Sequence, residues 1–458
     1  MDLGLRSVTA ACLLALVAGL AAVVPSAAAA GPALDVTAAP ARAAETTQVV
    51  VTVTDAGGAV AGAAVVVERR TGGAWQPVGT VTTGADGRAA VAQTVARVPA
   101  DNAVRATYGG AVVEATLPLL RRAARVGIDG PGSVVDGQPI TLSVLWRSDD
   151  GAAASGTLTL WRRLPEGRWR RVARVPTDGS GAASVTVTPR QDTRWRVSSP
   201  RLPWLERARS AVLRVDNRPP GTPVRLPAAA PTPRISLPAQ RRATGEGPDL
   251  WIGAISDAVW RQMTGATWHA GCPVGRSGLR LVRVNYWDYD GYPRRGEIVA
   301  NADAAYAMGA ALAEMYSREL PIRAMHRVDR FGWSSRVRGG DDYSSMAAGN
   351  TSAFNCRDVV GRPGRRSPHA WGRSLDVNTW ENPYRSARGT VPNTWWQPRS
   401  HALVAWRSRS HAVVQLMARH GLRWTYGQGD TQHFDYVGGG KRSLARYGGP
   451  PPCRRFCD

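Results

Sequence analysis

The chain has 458 residues, too many for one hydrophobic core, and this length predicts about three domains. Its formal net charge is +23, and Lys441 is the only lysine among the 58 basic residues. This charge favours polyanionic partners. No DNA-binding motif or basic helix-forming arm is present, however, so we expect no nucleic-acid partner.

Residues 1–30 are typical of a secretory signal peptide. Arg6 gives a short positive region, residues 8–24 are apolar, and small residues at 26–30 would allow cleavage. The apolar run is short for a membrane span, although an uncleaved anchor is an alternative. Cys12 lies inside the run, which argues against a lipoprotein anchor. The sequence therefore predicts a secreted protein with no stable membrane span after cleavage.

Residues 31–120 predict an all-β domain. Short alternating runs such as Gln48–Thr54 and Ala64–Glu68 are rich in Val and Thr, and Gly-containing turns separate them. Short strands with frequent turns are typical of an immunoglobulin-like β-sandwich.

Residues 121–216 repeat this plan. Gly62, Trp75 and Gly87 recur 94 positions later, as Gly156, Trp169 and Gly181. A shared offset at three positions indicates duplication and predicts a second immunoglobulin-like sandwich. Neither domain contains a cysteine. We expect the pair to act as a spacer, while glycan or wall-polymer binding through clusters such as Trp161–Arg163 and Arg168–Arg171 is the alternative.

Residues 217–248 form a Pro-rich segment that predicts a semi-rigid linker, holding the last domain away from the sandwiches. Residues 249–458 then alternate between helical and strand patterns, which predicts an α+β domain. The elements expected there are a helix over Asp249–Met263 with Trp251 packed inward, a strand over Leu279–Val284, a helix over Asn301–Ser317 capped by Asn301, a strand over Pro321–Val328, and a helix over Ser410–His420 ended by Gly421.

A metal-binding pattern lies in residues 367–376 and 430–434. His369 and Asp376 are seven residues apart, and His433 follows downstream. Two imidazoles and a carboxylate make a three-ligand zinc set with one open position. Asp430 and His433 point to opposite faces of a regular strand, so we assign His433 as a ligand and Asp430 as the base.

The motifs SxHxxGxxxD at 367–376 and DxxHF at 430–434 resemble those of D-alanyl-D-alanine carboxypeptidases (VanY-type zinc peptidases). That superfamily also contains phage L-alanyl-D-glutamate endopeptidases. Further similarities are found at 296–299, 321–322, 354–357 and 381–384, so the resemblance spans roughly residues 250–440. The chain departs from the family at Ser374, where alanine is common, and in the short segment Trp424–Gly429.

This resemblance implies that His369, Asp376 and His433 hold Zn²⁺ and that Asp430 is the catalytic base. It also implies an arginine near the metal, a role that we assign to Arg357, with Arg362, Arg365 and Arg366 as neighbouring alternatives. We expect Ser352 and Ser367 to border the substrate pocket.

The implied substrate is the peptidoglycan stem peptide, with removal of terminal D-Ala as the leading reaction. Endopeptidase cleavage is one alternative. A non-catalytic wall-binding protein with structural zinc is another, and the presence of Asp430 argues against it. Anionic cell-wall polymers are the expected polyanionic partners.

Other polar residues compete for functional roles. We expect structural roles for His326, His401, His411 and His420, and a solvated loop for Asp341 and Asp342. Ser367 lacks the sequence frame of a nucleophile, so a role in a turn or behind the metal ligands is an alternative for it.

Four cysteines remain after signal cleavage: Cys272, Cys356, Cys453 and Cys457. An even number in an exported chain predicts disulfides, with three possible pairings. A local Cys453–Cys457 bridge would leave Cys272 to pair with Cys356. Crossed pairing stays open, and a second zinc site is not expected because a CxxC pair is absent.

Overall fold

The computed structural model describes residues 31–238 and 240–438. The predicted signal peptide and the pair Cys453 and Cys457 lie outside the described residues. The chain forms two compact units. The first contains the chain up to Gly130, Thr141–Thr186 and Arg194–Leu213, and the second contains Pro131–Ile140, Val187–Thr193 and everything from Arg214 onward. Among the described helices, none is long and apolar enough to cross a membrane.

The first unit begins with ten strands in residues 31–120, so the all-β prediction is confirmed there. They are β1 (Ala33–Ala38), β2 (Ala41–Arg42), β3 (Thr46–Asp55), β4 (Gly58–Ala59), β5 (Ala64–Thr71), β6 (Ala74–Thr82), β7 (Arg88–Thr94), β8 (Ala103–Tyr108), β9 (Ala111–Thr116) and β10 (Leu119–Leu120). Strand β3 lies between β1 and β7, and a second sheet has the order β6-β5-β8-β9. Buried valines of both sheets, among them Val51, Val65 and Val104, form one core. An immunoglobulin-like topology stays a prediction.

The next stretch has eight strands. They are β11 (Ala124–Asp129), β12 (Ser133–Val135), β13 (Ile140–Ser148), β14 (Thr157–Arg163), β15 (Arg170–Pro176), β16 (Ala182–Val187), β17 (Thr193–Ser198) and β18 (Leu213–Arg218). In the first unit, β13 lies between β11 and β16, and β14 lies between β15 and β17. In the second unit, β12 pairs in parallel with β18.

Two of the repeated glycines have the same structural role in both copies. Gly87 and Gly181 adopt positive φ angles of 69° and 77°. Each carbonyl accepts a backbone hydrogen bond, from Val53 N at 2.9 Å and from Trp146 N at 2.8 Å respectively. A Cβ at either position would approach the carbonyl oxygen of the same partner to 2.6 Å or less. Only glycine fits such a close approach, which explains why the repeat retains it.

The Pro-rich segment belongs to the second unit and packs against it. From Pro219 onward it contains no helix or strand among its described residues, only an isolated bridge at Arg242, as its proline content predicts. Pro231 O accepts a 2.7 Å hydrogen bond from Trp380 Nε1, and Leu226 and Ala230 pack near Trp396. The segment is therefore held against the C-terminal domain, and its expected role of keeping that domain away from the sandwiches stays a prediction.

The described residues of the C-terminal domain, up to residue 438, form twelve strands. They are β19 (Trp251–Gly253), β20 (Leu279–Trp287), β21 (Pro293–Asn301), β22 (Trp333–Ser334), β23 (Gly339–Gly340), β24 (Asp358–Val359), β25 (Arg362–Arg366), β26 (Ser374–Asp376), β27 (Tyr384–Ser386), β28 (Gly389–Val391), β29 (Leu422–Arg423) and β30 (His433–Tyr436). Two antiparallel sheets dominate, with orders β19-β20-β21 and β26-β30-β29.

Four α-helices accompany these strands: α1 (Asp257–Met263), α2 (Ala305–Ser317), α3 (Asp342–Ala347) and α4 (Ala412–Arg419). One core joins them to both sheets. It includes Ile298 from β21, Leu312 from α2, Met417 from α4, and Leu375 and Phe434 from β26 and β30.

Several predicted elements need correction. Helix α1 begins only at Asp257, because Ser256 caps its N-terminus, and the preceding Trp251 lies in a strand and is 43% exposed. Helix α2 begins after Ala304, since Asn301 still belongs to β21. The strand predicted over Pro321–Val328 is absent, and only a single bridge from Ala324 to Asn350 forms there.

Two other predictions are confirmed. Helix α4 ends before Gly421, which has a φ of 74°. Cys272 forms a disulfide with Cys356, linking two segments that are 84 residues apart. This covalent link fixes the start of the segment that carries Arg357.

Candidate metal centre

Strand pairing brings the predicted metal ligands together. Asp376, at the end of β26, lies opposite His433, at the start of β30. Directly opposite residues of an antiparallel pair point to the same face. The intervening pair Leu375 and Phe434 points to the other face and is fully buried in the core, which holds both strands in register.

His369 reaches the same place from a tight turn. It lies in a 3₁₀ turn, Pro368–Trp371, whose start is capped by Ser367. Gly372 ends the turn with a φ of 67°, and a Cβ there would lie 2.7 Å from Asn301 N. The turn therefore needs glycine at this position, and it places the imidazole of His369 over the paired strands.

Two imidazole nitrogens and the two carboxylate oxygens of Asp376 lie close together in the cluster. His369 Nε2 lies 3.1 Å from His433 Nδ1 and 3.1 Å from Asp376 Oδ2, and His433 Nδ1 lies 3.1 Å from Asp376 Oδ1. Ligand atoms of a tetrahedral zinc with bonds of about 2.0–2.1 Å are separated by about 3.3 Å. The triad could therefore hold a metal ion, and its spacing and chemistry fit zinc.

The far nitrogen of each imidazole is held by a second group. His369 Nδ1 lies 2.7 Å from Ala353 O, and His433 Nε2 lies 2.8 Å from Asp435 Oδ1. Both acceptors favour a proton on the far nitrogen, which leaves the near nitrogen free to bind a metal. Ser374 Oγ donates to Asp435 Oδ1 at 2.7 Å and so fixes that carboxylate in turn.

The charges of the cluster are strongly coupled. Burial alone would raise the pKa of Asp376, but the two imidazoles outweigh it and lower this pKa far below its ordinary value. Burial alone would lower the pKa of His433, but hydrogen bonds to Asp376 and Asp435 raise it well above its usual range. The cluster therefore stabilises positive charge beside the Asp376 carboxylate. A bound metal cation would supply that charge.

Asp430 lies at the edge of this cluster. It follows a 3₁₀ turn, Gly427–Gly429, and its backbone bridges to Tyr384. Its Oδ1 atom is buried and accepts no hydrogen bond within the described part of the chain. Burial raises the pKa of Asp430 well above its ordinary value, against the opposing charge of His433. A carboxyl with one oxygen buried and without a hydrogen bond has the raised proton affinity that a general base requires.

Arg357 is buried close to Asp430. It is 6% exposed, and its charge is among those that act on the Asp430 carboxyl. Its Nη2 atom lies 2.6 Å from Asp342 Oδ2, and its Nη1 donates to Asp358 O at 3.0 Å. Among described residues, its Nε has no hydrogen-bond partner. The guanidinium is therefore held by its two Nη contacts.

The prediction of a solvated loop at Asp341 and Asp342 is wrong. Asp341 caps helix α3, accepting from Ser344 N at 3.1 Å, and Asp342 is 4% exposed. Its burial follows from the ion pair with Arg357, since a carboxylate is buried only when it is compensated. The pairing joins residues 15 apart, the first in α3 and the second just after Cys356, so local spacing gave no signal of it.

The two serines that were predicted to border the substrate pocket each form hydrogen bonds with the backbone of a candidate metal ligand. The Ser352 backbone forms two hydrogen bonds with that of Asp376, of 3.0 and 2.8 Å. Ser367 Oγ accepts from His369 N at 3.4 Å and is 2% exposed. Ser352 and Ser367 therefore help to fix the backbone of Asp376 and His369, respectively. Their contact with substrate stays a prediction.

The other predicted histidines lie outside the cluster. His401 and His411 lie before α4, where His411 caps the helix, and His420 pairs with Glu314 at 2.7 Å. His326 lines a cavity of about 360 Å³ formed with the Pro-rich segment and with Arg294 and Arg323. Burial lowers the pKa of His326 to about 4.

Sequence reasoning missed Asp435 and Gln432. Gln432 is 2% exposed, and its Nε2 donates to Asp376 Oδ2 at 3.2 Å. Asp435 had a detectable signal: residues two apart on a strand share a face, so His433 on β30 implies Asp435 beside it.

The domain thus combines an α+β scaffold with a buried His-Asp-His centre that has the geometry of a hydrolytic metal site. Residues 361–436 match the family model described as D-alanyl-D-alanine carboxypeptidase. The matched segment contains all three candidate ligands, together with Asp430 and Asp435, but not Arg357 or Ser352. No curated protein sequence matches the chain. The match supports a peptidase in the C-terminal domain.

Proposed function

We propose that the protein is a secreted, zinc-dependent peptidase that hydrolyses peptidoglycan stem peptides at the cell wall. The favoured reaction is removal of terminal D-Ala from a D-Ala-D-Ala end. One observation carries the proposal: His369 Nε2, His433 Nδ1 and the Asp376 carboxylate lie 3.1 Å from one another, beside Asp430, whose Oδ1 atom is buried without a partner in the described chain. The family match supports this choice of substrate class.

His369, Asp376 and His433 would hold the zinc. When bound, zinc supplies a Lewis acid that activates water and polarises an amide carbonyl. The protein's part is to keep the two imidazoles in the required tautomers, through Ala353 O and Asp435. Burial of all three ligands keeps bulk water from competing for them.

Asp430 is the proton carrier in this proposal. Its carboxylate accepts a proton from the attacking water and returns it to the leaving amine. Structural zinc sites need no such group, since their four positions are filled by protein ligands. The burial of an unpartnered carboxylate oxygen costs stability, and a catalytic use explains why the chain retains it.

Arg357 supplies the positive charge for the substrate. A guanidinium fork can pair with the terminal carboxylate of a D-Ala-D-Ala end or with the oxyanion that forms during hydrolysis.

Mass spectrometry of defined muropeptides tests the proposal. The protein is incubated with zinc and a pentapeptide muropeptide, alongside Asp430→Asn. Asp290→Asn is the matched control, because Asp290 is exposed in the same domain and the change is the same. We expect loss of one alanine with wild type and control, and a rate lowered about 10²- to 10⁴-fold by Asp430→Asn.

Cleavage inside the stem or cross-link would instead identify an endopeptidase. No product from any muropeptide, with zinc bound at one equivalent, would overturn the peptidase assignment and favour a wall-binding role.

A further inference from the structure

One face of the β14–β15–β17 sheet in the first unit is strongly basic. Leu160 and Val197 of this sheet are fully buried in the core. Neighbouring residues along each strand must therefore point outward. We call this surface the basic face, and it consists of Arg163, Arg171, Arg174, Arg194, Arg196 and Arg209, together with Trp161 and Trp169.

Strand register places these side chains side by side. Trp161 lies opposite Arg196 on one side and Arg171 on the other, and Arg163 lies opposite Arg194. Arg174 lies opposite Thr159, and Arg209 bridges to Ser198. Opposed positions on adjacent strands are about 5 Å apart, so the guanidiniums form a closely spaced array.

No carboxylate neutralises this array. Among the described residues, none of the six arginines lies within 4.0 Å of an acidic oxygen, although arginines elsewhere in the same unit do, as Arg122 does with Asp149. Arg196 Nε is buried without a hydrogen-bond partner among them. Burial and the charges of Arg209 and Arg163 lower the pKa of Arg196, which reflects their mutual repulsion.

The duplicated domain provides an internal comparison. Its outward residue at the corresponding strand pair is Glu68, which lies opposite Arg105 and accepts from it at 2.6 and 3.0 Å. Arg105 also lies opposite Glu114 on the next strand. In the second copy, the same register shift falls between Leu160 and Trp161 as between Val67 and Glu68 in the first, so Trp161 takes the place of Glu68 although the 94-residue offset points to Arg162. Trp161 lies opposite Arg196. The acidic partner is therefore replaced by an aromatic ring.

The rest of the arrangement is the same in both copies. Arg105 stacks over Trp75 at 4.6 Å, and Arg196 stacks over the repeated Trp169 at 4.3 Å. The second copy has thus kept the Arg–Trp stack and lost its carboxylate. An uncompensated cation array raises the energy of the free protein, and an anionic ligand would relieve this cost.

We propose that the basic face binds a phosphodiester-linked glycopolymer of the cell wall. Guanidinium forks pair with phosphate oxygens bidentately, and the exposed array can engage several phosphates of one chain. Trp161, held by a 2.9 Å hydrogen bond from its Nε1 to Ser198 Oγ, offers a partly exposed ring beside them. The choice of a wall polymer rests on the proposed function. The binding would retain the enzyme near its substrate.

The test measures binding of the full chain to soluble poly(glycerol phosphate) at several salt concentrations. The triple variant Arg171→Gln, Arg174→Gln, Arg194→Gln removes three exposed cations of the face. The matched control is Arg70→Gln, Arg88→Gln, Arg125→Gln, which removes three exposed cations elsewhere in the same unit. We expect the face variant to lower affinity at least tenfold and to reduce the salt slope by about two to three. The control should stay within twofold.

Equal losses in both triple variants would overturn the proposal, because net charge alone would then explain binding. Tighter binding of a single-stranded oligodeoxynucleotide of equal charge would overturn the assignment to a glycopolymer. Muropeptide hydrolysis is measured in parallel and should be unchanged in both variants. Lost polymer binding and lost hydrolysis thus report on two separate proposals.

Discussion

Arg357 Nη2 lies 2.6 Å from Asp342 Oδ2, and both side chains are at least 94% buried. Asp342 begins helix α3, whereas Arg357 follows the disulfide-bonded Cys356. The charges of both residues act on Asp430. The ion pair therefore ties the position of the proposed substrate arginine to a separate helix.

We predict that Asp342→Asn lowers kcat/KM for muropeptides about ten- to a hundredfold. Removing the carboxylate leaves Arg357 buried and uncompensated, so its guanidinium turns away from the cleft. Zinc content should stay at one equivalent, because Asp342 does not contact the metal ligands. Steady-state kinetics and metal analysis check both statements.

Asp341→Asn is the neighbouring control, since asparagine retains the ability to cap α3. Its kcat/KM should stay within about threefold of wild type. If Asp342→Asn were as active as this control, the ion pair would have no positioning role.

A second prediction concerns Asp435, which accepts from the far nitrogen of His433 at 2.8 Å. Asp435→Asn should weaken zinc binding about ten- to a hundredfold, as loss of such outer partners does in other zinc sites. Competition with a chelator of known affinity measures the change directly, without reference to catalysis.

Ser374→Ala removes the hydroxyl that holds Asp435 at 2.7 Å, and its effect should be smaller and of the same sign. Asp303→Asn, at an exposed position of the same domain, should leave zinc affinity unchanged. An unaltered zinc affinity in Asp435→Asn would contradict the proposed tautomer control.

The ligand set could be predicted because each ligand lies in a short, spaced motif. His369, Asp376 and His433 do converge, and strand register explains how. Asp342 could not be predicted in the same way, because its partner Arg357 is brought near by tertiary packing. In the sequence, nothing distinguishes Asp342 from an acidic residue of an exposed loop.

In the fold, too, some features could be predicted from the sequence and others could not. Alternating apolar runs predicted strands of the first unit. The duplication identified Gly87 and Gly181 as equivalent positions, and the two glycines have the same structural role. Local patterns failed at Trp251 and at Pro321–Val328, where pairing with distant strands or packing decides the backbone. Proline content correctly excluded helices and strands from Pro219 to the end of the described linker residues, but it could not show which surface covers that segment.

A third prediction concerns the Cys272–Cys356 disulfide. The two cysteines are 84 residues apart, and chain-entropy arguments give such a cross-link about 4–5 kcal/mol of stabilisation. The double variant Cys272→Ala, Cys356→Ala should lower the free energy of unfolding of the C-terminal domain by about 2–5 kcal/mol. Urea unfolding followed by tryptophan fluorescence measures it.

Wild type in the presence of a reductant is the matched control, and its stability should fall by a similar amount. A loss below about 1 kcal/mol in both would show that the segment before Arg357 is held by packing alone.

The last prediction is a pH dependence at Glu314, on helix α2. Burial alone would raise its pKa, but hydrogen bonds from Arg419 and His420 outweigh burial and lower the pKa to about 2. A carboxyl whose folded pKa is depressed stabilises the fold above its unfolded pKa of about 4.3. This contribution is then lost as the pH falls through about 2.

Glu314→Gln should therefore destabilise the metal-free protein at pH 6 by about 2–3 kcal/mol, and much less at pH 2. Glu319→Gln is the control, because Glu319 is exposed at the end of the same helical segment and the charge change is the same. Urea unfolding at both pH values gives the difference. An equal loss at pH 6 and pH 2 would mean that Glu314 acts through packing, since only an ionised carboxylate can account for a loss confined to the higher pH.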